Sequence, residues 1–307
     1  MTYAQYGLVQ AADYNALTGG PTSTTANTLN ATWATGSGNA GYGQTAEGNV
    51  AIGDSVTASK WANLVNKTSN SASHQGSSIT SVSAPVSGGS VTYLSAVPTN
   101  LQTIYSNRLN AQTVGSTSAN TATYGSTWSV ALTFTHTATF ANTDAMRYFF
   151  NSGGQLKITC SHPSGSGIDL LLNNLASNVG TVVLSSPTSG AITVAGTSYN
   201  GVTKVGGGGN SPTINTNYGF YALTSTPTQI FNQTASTGPS AYLSTYIRIN
   251  ASSSGSVITL STVWDEVPDG YVASIGSATT LTAQYPETTY LANTWGAVTL
   301  SGSVSGS

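Results

Sequence analysis

The chain has 307 residues, with seven Lys or Arg and nine Asp or Glu, so 5% are charged and the formal net charge is −2. Ordinary soluble domains carry roughly a quarter charged residues, whereas Ser, Thr, Asn, Gly and sixteen tyrosines fill this chain, which describes a surface built to be covered and a part of an assembly. The basic residues are scattered, which excludes a phosphate-neutralising nucleic-acid surface, and no run of about 20 apolar residues offers a membrane span.

Residues 1–115 read as an N-terminal docking module with an internal duplication. V-Q-A-A-D-Y-N-A-L at 9–17 aligns without a gap on V-T-A-S-K-W-A-N-L at 56–64, matching Val9 with Val56, Ala11 with Ala58, Tyr14 with Trp61 and Leu17 with Leu64. In each copy the aromatic and the leucine lie three apart, on one face of a short capped helix. The two copies form a helical hairpin with its own small core, and Tyr14, Leu17, Trp61 and Leu64 are the partner-docking candidates. Between them lies T-G-S-G-N-A-G-Y-G-Q at 35–44. It lacks the Lys-Ser/Thr of a phosphate loop and takes no nucleotide. Residues 76–98 read as a connector with one short strand at 90–95. After Pro98, capped by Thr99 or Asn100, Leu101, Ile104, Tyr105, Arg108 and Leu109 mark an amphipathic helix that closes the module.

From about Thr123 the period changes from helical to two, and residues 116–307 read as a β-sandwich or jelly-roll-like domain. Trp128, Val130, Leu132, Phe134, Ala138 and Phe140 alternate with polar residues, giving one long strand interrupted on its apolar side only by His136, a residue expected to be structural at a sheet margin. Further strands are expected at 155–161, 181–185, 191–194, 218–223, 242–251, 257–264, 279–284 and 295–300. In the 242–251 strand Leu243, Ile247, Ile249 and Ala251 face one side, and Tyr242, Tyr246 and Arg248 the other. Asp144 and Asp169 are expected to cap two helical insertions. The fold class is thus mainly β with a small helix-containing N-terminal module.

No catalytic constellation is visible. His74, His136 and His162 lack metal-ligand spacing, the single Cys160 permits no intrachain disulfide, and Cys160 and His162 read as lying on opposite strand faces. Asp265, Glu266 and Asp269 occupy a Pro-Gly turn and are expected to be solvated or weakly ion-binding rather than to form an acid–base pair or a regular calcium loop. No catalytic residue, metal or cofactor is assigned. The first residues lack the charged and apolar regions of a signal peptide, which gives the expectation of a soluble chain made in the cytoplasm.

D-A-M-R-Y-F-F-N-S-G-G-Q-L at 144–156 resembles a segment of the virion structural and tail-fibre-like proteins of tailed bacteriophages, of the myovirus and cyanophage type. Residues 168–183, Y-G-F-Y-A-L at 218–223 followed by Q-I-F at 229–231, and W-D-E-V-P-D-G at 264–270 are similar to further segments of that family in the same order. D-Y-N at 13–15, G-Y-G-Q at 41–44 and K-W at 60–61 look like modules at the starts of such proteins. The family's longer Asp/Asn-rich loop is shortened here to Asp265, Glu266 and Asp269. The resemblance implies a non-enzymatic virion component of tail, baseplate or fibre, made in the host cytoplasm and docked to other virion proteins and to copies of itself. The alternatives are a capsid decoration protein and a tail adhesin for host attachment. Tyr242, Tyr246, Tyr271, Tyr285 and Tyr290 are the candidate contacts to a host surface glycan or to subunits.

Overall fold

A computed structural model describes residues 10–87, 95–216, 218–270, 272–273 and 276–306. Four helices come first: α1 (Ala11–Thr18), α2 (Leu29–Trp33), α3 (Ala58–Gln75) and α4 (Ala96–Ser106). Local chemistry sets their ends. The Gln10 N–H donates to the Asp13 carboxylate at 3.1 Å, and the left-handed Gly19 (φ 78°) stops α1. Thr57 caps α3 by accepting from the Lys60 N–H, and Gly76 ends it after 18 helical residues, so the second copy of the repeat opens a much longer helix than the first. α4 starts ahead of the expected Thr99 or Asn100 cap. Pro98 falls in its first turn, where the missing N–H has no intrahelical acceptor to lose. The expected strand at 90–95 lies mostly outside the described residues.

The remaining chain forms β1 (Val114–Thr123), β2 (Ala131–Thr139), α5 (Thr143–Asn151), β3 (Gln155–Ser161), α6 (Ile168–Val179), β4 (Thr181–Leu184), β5 (Ile192–Val194), β6 (Thr197–Tyr199), β7 (Val202–Val205), β8 (Thr213–Ile214), β9 (Thr228–Thr234), β10 (Tyr246–Ser254), β11 (Val257–Asp265), β12 (Ala278–Pro286) and β13 (Thr299–Gly306). Every strand-to-strand pairing among the described residues is antiparallel. One sheet has the order β1-β12-β3-β4-β7, a second β13-β2-β11-β10-β9-β8, and β5-β6 is a separate hairpin. The protein is mainly β, with a β-sandwich-like domain.

The period of two decides which side chains enter the sandwich. Leu132, Phe134 and Ala138 of β2, Ile247 and Ile249 of β10, and Ile258, Leu260 and Trp264 of β11 are buried on one sheet, against Leu156, Ile158, Val182, Leu281 and Ala283 on the other. Each fully buried aliphatic or aromatic side chain of this size contributes ~1.5–3 kcal/mol. α6 packs against β3 of one sheet and against β9 and β10 of the other, closing the gap between them with Leu171, Leu172 and Leu175. The apolar cluster does not stop at the sheets. Tyr14, Leu17, Leu29, Trp61, Leu64, Leu101 and Ile104 of the helices belong to the same contiguous core as Trp264 and Trp295.

Several expected elements differ. The single strand across 128–140 is broken at Ser129 and Val130. Trp128 bridges to Ala273, while β2 pairs with β11 only until β11 turns away after Asp265. His136 is not at a margin: it points between the sheets, and its Nε2 lies 3.1 Å from the Thr279 carbonyl of the opposite sheet. Residues 218–223 form a 3-10 turn at Phe220–Ala222, because Phe220 stacks flat on Phe150 of α5 at 4.3 Å. β10 begins only at Tyr246, since a 3-10 turn at Ser240–Tyr242 precedes it, and Leu243 is exposed rather than inward. The last strand starts at Thr299 instead of 295. Asn142 rather than Asp144 caps α5, accepting from the Ala145 N–H at 2.8 Å, and Gly167 rather than Asp169 precedes α6.

Candidate functional site

The glycine-rich loop at 35–44 is the meeting point of helices and sheets. Gly36, Gly38, Gly41 and Gly43 all have positive φ, and a Cβ on Gly41 (φ 95°) would lie 2.1 Å from the Thr35 carbonyl oxygen, so only glycine fits there. The turns aim carbonyl oxygens outward, and side chains distant in sequence collect them. Arg147 of α5 donates to the Thr35 and Ala40 carbonyls at 2.8 and 2.7 Å, and Arg108 to the Asn39 carbonyl at 2.8 Å. Asn151 donates to the Gly41 carbonyl at 3.0 Å, and the Tyr221 hydroxyl to that of Gly38 at 2.8 Å. Gln44 exchanges two 2.9 Å hydrogen bonds with the Ala292 backbone, and Thr294 donates to the Tyr42 carbonyl. Two of the chain's three arginines serve this clamp.

The four residues of the repeat named as docking candidates are buried: Tyr14, Leu17, Trp61 and Leu64 all lie in the core. Tyr14 and Trp61, the aligned aromatics, pack on each other with ring centroids 6.4 Å apart, and the Tyr14 hydroxyl donates to Glu47. Their side chains therefore hold the helices together and present nothing directly to a partner. This corrects the docking role read from the sequence.

The tyrosines are spread over the sandwich rather than gathered into one site. Tyr246 donates to the Asp265 carboxylate at 2.6 Å with Arg248 over its ring at 5.2 Å, an outward cluster at one end of the β10–β11 pair. Tyr242 is half-buried at the turn before β10. Tyr285 is half-buried, its hydroxyl accepting from the Val298 N–H and its ring edge-on to Phe149. Tyr290 is exposed, and Tyr271 lies outside the described residues. Beside Tyr285 an open cavity of about 420 Å³ is lined by Ser116, Glu287, Asn293 and Trp295 among others. His74 lies behind Glu287, Nδ1 to Oε1 3.7 Å, which is the spacing of an ion pair rather than of a hydrogen bond. That His74 contact, together with the Thr289 N–H at 2.7 Å, holds the Glu287 carboxyl down to about 2.

Folding also assembles a constellation that no spacing in the sequence announces. Ser277 Oγ lies 2.9 Å from His162 Nδ1, and His162 Nε2 lies 3.1 Å from Asp169 Oδ1. The three residues sit at the start of β12, just after β3 and in the first turn of α6. A hydroxyl, imidazole and carboxylate in line is the order used to activate a nucleophile. Here Ser277 is fully buried and His162 and Asp169 nearly so, burial lowers the imidazole's proton affinity, and the chain ties three elements together. Cys160 and His162, two residues apart, point to the same side after all, and burial pushes the Cys160 thiol up to about 12.

The acidic turn departs from the solvated trio expected of it. Asp265 is taken by Tyr246, whereas Glu266 is fully buried with neither carboxylate oxygen hydrogen-bonded. Burial, and secondarily the Asp269 charge, push its carboxyl up to about 7. No group of three or more metal-ligating side chains occurs among the described residues.

Outward, the six-stranded sheet shows hydroxyls in rows. Thr133, Thr135, Thr137 and Thr139 of β2 stand in register with Ser305, Ser303, Ser301 and Thr299 of β13, and on the other side with Val263, Ser261, Thr259 and Val257 of β11. The six strands carry only two charged residues, Arg248 and Asp265. Most other charges are engaged within the chain: Lys67 with Glu47, Arg147 with Asp144, Lys157 with Gln284 and Lys204 with Gln233. No protein-family model, curated protein or solved structure matches the chain.

Proposed function

We propose that this chain is a non-enzymatic structural component of a tailed-phage virion, associated with tail, baseplate or fibre, that works by self-assembly and by docking to other virion proteins. The observation that carries this reading is the outer face of the six-stranded sheet, where rows of hydroxyls stand nearly free of charge. Such a face is wet enough to remain soluble during synthesis and neutral enough to be covered without stranding a charge. The resemblance of residues 144–156, 168–183, 218–223, 229–231 and 264–270 to virion structural proteins supplies the phage setting. Closure of the Ser277–His162–Asp169 chain to solvent favours a structural over a hydrolytic role. The test is sedimentation of the purified chain alone and with candidate virion proteins, followed by electron microscopy of particles carrying a labelled copy. Self-association or co-sedimentation and a fixed position on the particle are expected. A chain that stays monomeric with every partner, or that reacts at Ser277 with a fluorophosphonate probe, overturns the reading.

A second reading, a glycan-binding tail adhesin, is favoured by the cavity beside Tyr285, where the Glu287 carboxylate, the Asn293 amide and Trp295 converge. Glycan-array binding by the wild type, lost in Asn293→Ala, supports it. An array without a hit removes it.

A further inference from the structure

The four edges of the two large sheets are unlike. At one flank β7 is four residues long and carries Lys204, whose ammonium donates to the Gly208 carbonyl and to Gln233 of β9, and β8 is two residues long. Short strands and an edge lysine are the usual means by which a sheet avoids pairing with a stranger. At the other flank β1 has ten residues and β13 eight, and neither contains a charged residue or a proline. β1 is interrupted by a register shift between Val114 and Thr117, whereas β13 runs in unbroken register with β2 along its whole length. The two sheets converge here: a Cβ on Gly302 of β13 would lie 2.5 Å from the Asn120 Oδ1 of β1. One flank is thus blunted, and the other leaves a long, regular, neutral edge with unpaired backbone N–H and C=O groups.

We infer that β13 is an assembly edge, pairing antiparallel with β13 of a second copy of this chain so that the two six-stranded sheets become one across a two-fold axis. This rests on the self-assembly reading above and names its surface. The occupant follows from the side chains. Thr299, Ser301, Ser303 and Ser305 point outward, and within the chain the same row already pairs hydroxyl to hydroxyl with β2, Thr137 Oγ1 to Ser301 Oγ at 2.7 Å. A second β13 presents the identical row. Cross-strand hydroxyl pairs are favourable, and a neutral strand meets no like charge when it pairs with itself. A charged foreign strand would find no counter-charge along residues 288–307. The two-fold arrangement satisfies both edges at once and closes the assembly at two copies through this surface.

The experiment is sedimentation of the full chain and of the double variant Ser303→Lys/Ser305→Lys, whose new side chains project from an exposed face. The wild type is expected to dimerise and the double variant to dissociate at least about tenfold more readily, with unchanged circular dichroism. Mixing it with Ser303→Glu/Ser305→Glu is expected to restore association. The same pair of lysines on β1, Ala119→Lys/Thr121→Lys, is expected to leave it unchanged. Should either β13 variant misfold, hydrogen exchange on the wild type decides: the β13 amides must slow as concentration rises. A wild type that assembles with β13 amides unprotected, or with indifference to the lysines, overturns the β13 edge and leaves the assembly reading standing. A wild type monomeric at every concentration overturns the β13 edge, and the assembly reading then falls only if added virion proteins also fail to bind.

Discussion

The clamp around residues 35–44 and the flank made by β1 and β13 are built from the same Gly/Ser/Thr/Asn vocabulary and use it in opposite ways. At the clamp, glycines turn the backbone so tightly that its carbonyls face distant arginine, asparagine and tyrosine side chains, and the polar groups are satisfied from within. At the flank the same residue types lie flat in strands and leave the backbone edge open. Low charge therefore does not mean weak internal cohesion. The few cations of this chain are concentrated where they fasten one part to another, and the neutral remainder is what faces outward.

The strongest way to break that contrast is to empty the helical end of the shared core. Trp61→Ala, which empties a buried site against Tyr14, is expected to cost about 3–5 kcal/mol. Because helices and sheets share one core, far-ultraviolet and tryptophan signals are expected to be lost in a single denaturant transition. Two separated transitions would show the helices and the sandwich to be independent units. Next in size, Arg147→Ala deletes the donors to Thr35 and Ala40 and is expected to cost about 1.5–3 kcal/mol by chemical denaturation, as for hydrogen bonds from a charged group. Arg147→Lys should recover only part of it, since one ammonium cannot reproduce the fork. A loss no larger than that of a surface alanine would mean the loop holds its shape unaided.

The smallest expected effect concerns the acidic turn, which belongs to neither region. Glu266 binds its proton more tightly folded, near pH 7, than unfolded, near pH 4.5. Its contribution to stability is therefore complete below about pH 4.5 and is lost as pH rises to about 7. Denaturation midpoints of the wild type are expected to fall across that window, and Glu266→Gln is expected to flatten the fall. Parallel profiles for the two proteins would place the carboxyl in water.

Legibility in the sequence followed the physics of burial. β3 was readable to its ends because Leu156, Ile158 and Cys160 alternate with polar residues between Gly154 and Pro163, and β11 and most of β12 for the same reason. β1 was not, because V-G-S-T-S-A-N-T-A-T contains almost nothing apolar: its pairing with β12 holds it in place rather than side-chain burial. Residues 218–223 look like a strand yet turn, since stacking on Phe150 outweighs local preference. The duplicated aromatics and leucines announced a core but not that the core continues into the sheets. Ser277 and His162 are 115 positions apart, so their contact exists only in the folded chain.

The Gln44–Ala292 hydrogen bonds span 248 positions of sequence. During synthesis at ~5–20 residues per second, the N-terminal loop waits on the order of tens of seconds for its last partner to leave the ribosome. Until then the Gln44 side chain and the Tyr42 carbonyl lack their last partners. The order of translation thus becomes a constraint on this architecture: a copy released before residue 292 is expected to keep the bonds from Arg108, Arg147, Asn151 and Tyr221 and to lack those from Ala292 and Thr294.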